Sequence, residues 1–168
     1  MTLSPILDAA PVIQAHVAAG LLAILLGPVA LYMRPGTKTH KITGYVWVSA
    51  MAALALSSFA IHSFAVIGPF SPLHGLALVT LWSLWEGVRH ARAGRIAVHR
   101  RIYMNLYWFG VIIAGMFNFL PGRAINRALL PDTPDTGFVL IALGVAIALL
   151  MVLRPTLRKL WRTSALHG

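Results

Sequence analysis

The chain has 168 residues, 58% of them apolar and only 11% charged, with a formal net charge of +10 and no cysteine. Soluble domains carry roughly a quarter charged residues, so this balance excludes a water-coated globule. The missing cysteines exclude disulfides, thiolate metal sites and cysteine catalysis. In a soluble protein such a positive charge would point to nucleic acid. Here the cations sit between apolar runs long enough to cross a bilayer, and Lys and Arg accumulate in loops that stay in the cytoplasm. No nucleic-acid partner is expected.

Residues 1–10 hold Asp8 and no Lys or Arg, so they lack the cationic flank of a secretory signal, and the first apolar run, about 11–33, is expected as a retained span. It carries Gln14 and His16, followed at helical spacing by Gly20, Ala23 and Gly27, a stripe of small residues that would form a shallow groove. Pro28 should kink this helix, which a membrane span tolerates when a neighbour satisfies the freed carbonyl. Loop one, about 34–43, holds Arg34, Lys38 and Lys41. Span two is expected over about 44–68, with Ser57, Ser58 and His62, and an uncharged Gly68–Pro72 reversal follows.

Span three, about 73–89, opens with His74 and carries Glu86 near its other end. The next stretch, from His90 to Gly110, is a dense cationic cluster with Arg92, Arg95, His99, Arg100 and Arg101 ahead of Tyr103, Tyr107 and Trp108. It echoes the earlier run from Lys38 to Met51, in which His40 likewise sits among basic residues before an aromatic, apolar segment. Span four covers about 102–120 with Asn105 and Asn118. Loop four, 121–136, sets Arg123 and Arg127 against Asp132 and Asp135. Span five, about 137–153, has the small-xxx-small pair Gly144 and Ala148, suited to close helix contact and compatible with a homo-oligomer. The tail, 154–168, is basic around Leu157, Leu160 and Trp161, as for a segment lying on an anionic leaflet.

Loops one and three and the tail are basic, whereas the N-terminus and loops two and four are neutral or slightly acidic. The expected fold is therefore all-α, a single polytopic membrane bundle over 1–168 with five transmembrane helices, the N-terminus outside and the C-terminus cytoplasmic.

With that orientation the histidines form two layers. His16 and His62 each lie about five to six residues inside the outer end of their spans, at ~8–9 Å depth by a rise of ~1.5 Å per residue, and His74 is nearer the same surface. An ionisable group inside hydrocarbon is costly and marks a functional site by default. His16 and His62 could supply two imidazoles to a b-type haem, or to a quinone, with His74 as substitute ligand. Gly20 and Gly27 would admit the flat ring, Ser58 would hydrogen-bond a ring nitrogen, Asn118 shares the layer, and Arg123 with Arg127 would suit propionates, an anionic lipid or a quinone head. His40, His99 and Tyr103 outline a second, cytoplasmic-side site. Glu86 with Arg89 and His90 forms either an ion pair at i+3 and i+4 or a proton relay. Against these readings, an intramembrane His commonly bonds a neighbouring helix.

The pattern Thr39-His40-Lys41-x-x-Gly44-x-Val46, with Gly94-x-x-x-x-His99-Arg100-Arg101-x-x-Met104, resembles an uncharacterised family of bacterial membrane proteins that carry a His-basic-x-x-Gly and a His-Arg-x-x-Met signature. The resemblance spans about residues 10–125 and implies a multi-pass protein of the bacterial inner membrane, with no activity attached. The chain also resembles, more distantly, small b-type membrane cytochromes, which implies haem ligation by histidines. Three functions follow as expectations: electron transfer with a redox partner through haem b or quinone, a non-catalytic accessory or assembly subunit of a membrane complex, and a small transporter using Glu86 and His90. The absence of an inverted repeat argues against the last.

Overall fold

The structure, a computed structural model, describes residues 3–61, 72–147 and 150. His62, the rest of the second expected span, Ala148 and the basic tail lie outside the described residues. Every regular element among the described residues is helical. They fall into two compact units, Leu3–Gly115 and a second that runs from Met116.

The first unit begins with a short turn of helix, α1 (Ser4–Leu7), whose Leu3 and Leu7 are exposed. Gln14 Nε2 donates to Leu7 O at 2.7 Å and Ala9 O at 2.9 Å, which ties this turn to the start of α2 (Pro11–Tyr32). Pro11 opens α2, where a missing N–H costs nothing. This helix is apolar all round yet buries only Ala23, Gly27 and Ala30 and exposes Leu21, Leu25 and Val29. Small residues face protein and large ones face outward, the arrangement that lets backbones approach inside lipid.

Helix α3 (Lys38–Ser58) starts six residues before the expected Gly44. Thr37 caps it, its Oγ1 accepting from His40 N at 3.1 Å and donating to Arg34 O at 3.0 Å, so loop one shrinks to a short connection and Lys38 and Lys41 become helical. Its other end also comes early, at Ser58 rather than near residue 68. Helix α4 (Pro72–Arg92) runs on past residue 89. It closes in a Schellman turn: Gly94, at φ 73°, donates to Ala91 O at 3.1 Å, and Arg95 donates to His90 O at 2.9 Å. Helix α5 (Ile96–Asn105) follows directly. The expected loop three is thus only three residues; Arg89, His90 and Arg92 fall in the last turn of α4 and complement its dipole, Arg95 precedes α5, and Arg100 and Arg101 lie within α5.

After α5 comes a π-helical stretch, Leu106–Ile113, and then α6 (Ala114–Met116). The core lies where α2, α3, α4 and α5 with its π stretch meet, around Ala23, Trp47, Met51, Leu84, Tyr103 and Tyr107. Trp47 Nε1 donates to Ala23 O at 3.0 Å and Tyr103 Oη to Leu84 O at 3.1 Å. Their rings meet edge to face at 5.3 Å. Buried amphipathic rings thus spend their polar ends on backbone carbonyls of neighbouring helices.

The second unit holds a 3₁₀ turn (Phe117–Phe119), α7 (Ala124–Leu129) and α8 (Thr136–Ile147). Loop four therefore contains a helix that the sequence pattern missed. Asn126, fully buried, donates to Phe119 O at 2.7 Å and Pro134 O at 2.9 Å and so pulls together the chain on both sides of α7. Gly137 and Gly144 lie where a Cβ would overlap Phe119 with Asn126, and Met116, respectively. Among the described residues two runs, Pro11–Tyr32 and Ile96–Phe119, are long and apolar enough to cross a bilayer.

Candidate functional site

The last turn of α3 gathers two of the expected histidines. His16 Nδ1 lies 2.9 Å from Ser57 Oγ, and Ser57 Oγ lies 3.0 Å from Leu54 O. A hydroxyl has one hydrogen and a carbonyl can only accept, so Ser57 donates to Leu54 O and receives the His16 Nδ1–H. This network assigns the neutral ring its Nδ1–H tautomer and leaves the Nε2 lone pair unspent. Two residues further on, Phe59 stacks on His74, with centroids 5.5 Å apart and planes at 14°. His74 is itself buried. Both histidines thus pack on one end of α3, while His62 lies outside the described residues. Ser58, the serine picked out from the sequence, donates instead to Ala55 O of its own helix at 2.7 Å. The neighbouring serine makes the contact because successive residues point ~100° apart on a helix.

The stripe below His16 is not an open groove. Leu54 Cδ1 lies 3.4 Å from where a Cβ on Gly20 would stand, and the Tyr107 ring covers Gly27 so closely that a Cβ there would overlap it. Tyr107 also donates to Ile24 O at 3.1 Å. Protein side chains fill the places where a flat ring was expected.

At the opposite, basic end, one carboxylate oxygen serves two partners. Glu86 Oε2 is 2.9 Å from Arg89 Nη2 and 3.1 Å from His90 Nε2. The Arg89 guanidinium also lies 5.2 Å from the Trp85 ring centroid. His99 and Tyr103 are together, centroids 4.7 Å apart, but His99 Nδ1 donates to Gly87 O at 2.9 Å and Tyr103 to Leu84 O, so both fasten α5 to α4. His40 is not joined to them by any described contact. The Nδ1 atoms of His40 and His90 are buried without a hydrogen-bond partner among the described residues. In the second unit Arg123 caps α7 and Arg127 stands one turn on, its N–H donating to Arg123 O at 2.8 Å. Burial pushes the Arg123 guanidinium below the usual arginine value. Asn118 is half-buried in the 3₁₀ turn.

A family model described as "Predicted membrane protein (DUF2306)" matches residues 13–155. The chain belongs to that family. No curated protein and no solved structure matches it. The DUF2306 match takes in nearly all of α2 and the whole of α3, α4 and α5, and with them the His16–Ser57 contact and the basic-end carboxylate. Among the described residues of this DUF2306 chain, no group of three or more His, Asp and Glu is arranged to hold a metal ion. What the arrangement offers chemically is one oriented imidazole at one end of the bundle and a neutralised carboxylate at the other. Sequence reasoning missed Ser57 as the partner of His16. The signal was present in part, because two successive serines near a span end aim their hydroxyls ~100° apart, so either one could be the one that faces the neighbouring helix.

Proposed function

We propose that this membrane protein carries electrons across part of the bilayer with a b-type haem, or exchanges them with a quinone, held at His16 in the outer layer. The proposal includes five spans in a bacterial inner membrane, with the N-terminus outside. The supporting observation is the His16–Ser57–Leu54 chain. A ligating histidine commonly donates its second ring nitrogen to a polar neighbour, which fixes the tautomer and raises the basicity of the other nitrogen, and His16 has that preparation with Nε2 available. His62 would be the second ligand and His74 its substitute. These residues fit a group taken at Nε2 but not a ring laid in the Gly20–Gly27 stripe, which Leu54 and Tyr107 occupy. Bound haem supplies one-electron chemistry. The chain's own residues orient the imidazole.

The test is an oxidised and dithionite-reduced absorption spectrum of detergent-purified protein expressed with ample haem. A Soret band lost in His16→Ala and His62→Ala, and displaced in Ser57→Ala, is the expected result. A colourless protein that also shows no His16-dependent quinol oxidation overturns the reading.

One observation favours a second reading, a non-catalytic accessory or assembly subunit. Trp47, Tyr103, Tyr107 and His99 all spend their donors on carbonyls of adjacent helices, as in a rigid scaffold. That reading predicts a colourless chain that co-purifies with a membrane complex through its basic end.

A further inference from the structure

Helix α4 has two opposite faces at heptad spacing. Ala77, Thr80, Leu84 and Gly87 are buried against protein. On the other side Leu78, Trp82 and Trp85 are 61%, 64% and 54% exposed, and Arg89 continues the row with its side chain 50% exposed. Residues three and four apart are surface neighbours on a helix, so these four form a continuous outward stripe. The two indoles touch, with centroids 5.0 Å apart. Arg89 is held from two sides, by Glu86 Oε2 at 2.9 Å and by the Trp85 face. Its guanidinium is therefore set in place before any ligand arrives, with N–H groups to spare.

From these observations we infer that the stripe is a binding site for one anionic phospholipid, its phosphate on Arg89 and Arg92 and an acyl chain along Trp85, Trp82 and Leu78. Charge complementarity selects this occupant. The basic end carries Arg34, Lys38, Lys41, Arg92, Arg95, Arg100 and Arg101. Its carboxylate, Glu86, is already shared between Arg89 and His90, so the ammonium of a zwitterionic head would find no free carboxylate there and would face the surplus cations, whereas a head that is only anionic meets no such repulsion. A planar guanidinium pairs with phosphate through two parallel hydrogen bonds. Tryptophan settles at the membrane–water boundary, where an apolar body and a polar edge are both satisfied, and here two indoles in contact, their planes tilted by 46°, widen that boundary along one turn. Arg92 stands one turn beyond Arg89 at the end of α4, exposed.

The full chain is reconstituted in phosphatidylcholine vesicles containing a small fraction of lipid with brominated acyl chains, bearing either a phosphatidylglycerol or a phosphatidylcholine head, and tryptophan emission is recorded. Brominated phosphatidylglycerol should quench with about fivefold higher apparent affinity, the factor expected of one basic residue beside an anionic lipid. In a Trp161→Phe background, Trp82→Phe/Trp85→Phe should remove the selective part of the quenching, which Trp47, buried in the core, cannot supply. Arg89→Gln/Arg92→Gln should abolish the preference while brominated phosphatidylcholine still quenches. Persistence of that general quenching shows that the variant is folded and inserted. Arg89→Lys, which keeps charge without the planar fork, should retain part of the preference. Equal quenching by the two heads, or a preference that survives in the double glutamine variant, overturns the site. So does efficient disulfide formation between copies carrying Trp82→Cys, which would make the stripe a contact with a second copy of the chain.

Discussion

The hydroxyl of Tyr107 lies 3.1 Å from the carbonyl oxygen of Ile24, the carbonyl whose helical N–H partner would stand at position 28, where Pro28 has none. A proline removes the i→i−4 bond and leaves an acceptor that hydrocarbon cannot satisfy. Tyr107 supplies the missing donor from the π stretch on a different helix. Two irregularities, a proline in α2 and a run of π turns after α5, thus meet at one hydrogen bond.

Tyr107→Phe should then destabilise the protein by about 1–3 kcal/mol, the cost of an orphaned buried acceptor. In a Pro28→Ala background an N–H at position 28 returns to Ile24 O, and the same substitution should cost measurably less. Reversible unfolding in mixed micelles closes this double-mutant cycle. Identical costs in the two backgrounds would sink the pairing.

Glycines at 27, 44 and 87 should respond differently to alanine. A Cβ at Gly27 overlaps the Tyr107 ring and one at Gly87 overlaps the Tyr103 ring, whereas Gly44 has no atom within 4 Å. Overpacking against a rigid ring costs about 1–3 kcal/mol. Gly44→Ala should instead be neutral or stabilising by up to about 1 kcal/mol, since alanine is the better helix former. Melting temperatures of the three variants decide this, and a Gly44→Ala variant as unstable as Gly87→Ala would contradict it.

Asn126→Ala should loosen the connection around α7 without unfolding the first unit. It removes two donors, to Phe119 O and Pro134 O, and leaves two carbonyls short, at about 1–3 kcal/mol apiece. Limited proteolysis in detergent should show faster cleavage within 121–136, with cleavage elsewhere unchanged. A digest matching the parent chain would remove Asn126 from this role.

Ser57→Ala should release the tautomer of His16. With the hydroxyl gone, Nδ1–H loses its 2.9 Å partner and keeps at most the Leu54 carbonyl beside the ring, so the ring protons should redistribute in part between nitrogens. Nitrogen-15 chemical shifts of labelled histidine report this directly: Nδ1–H in the parent chain, a shift toward Nε2–H in the variant. Ser58→Ala serves as the control, because its hydroxyl bonds Ala55 O. An unchanged His16 spectrum in Ser57→Ala would count against the assignment.

Much of the architecture can be read from residue order alone. Apolar runs that end or begin at cations mark α2 and the segment from α5 onward, and their length over a rise of ~1.5 Å per residue sets what can cross a bilayer. The boundaries were harder. The expected spans stop where charge begins, but Lys38, Lys41, Arg100 and Arg101 are helical, because a helix ends at a cap rather than at an ion: Thr37 in one case, the left-handed Gly94 in the other. Helix α7 escaped for a similar reason, since its single turn and a half is held by Asn126 contacts that have no period in the sequence.

What residue order determined by itself is the chain's preference for a bilayer, its helical class and the charge asymmetry of its two ends, because hydrophobicity and charge act residue by residue. Only the tertiary structure decided which serine meets His16, that Leu54 and Tyr107 fill the glycine stripe, and that His99 and Tyr103 brace α4 rather than face one another across a site. A helix's sequence sets which residues share a face, but its rotation against its neighbours is settled by how side chains on several helices pack at once.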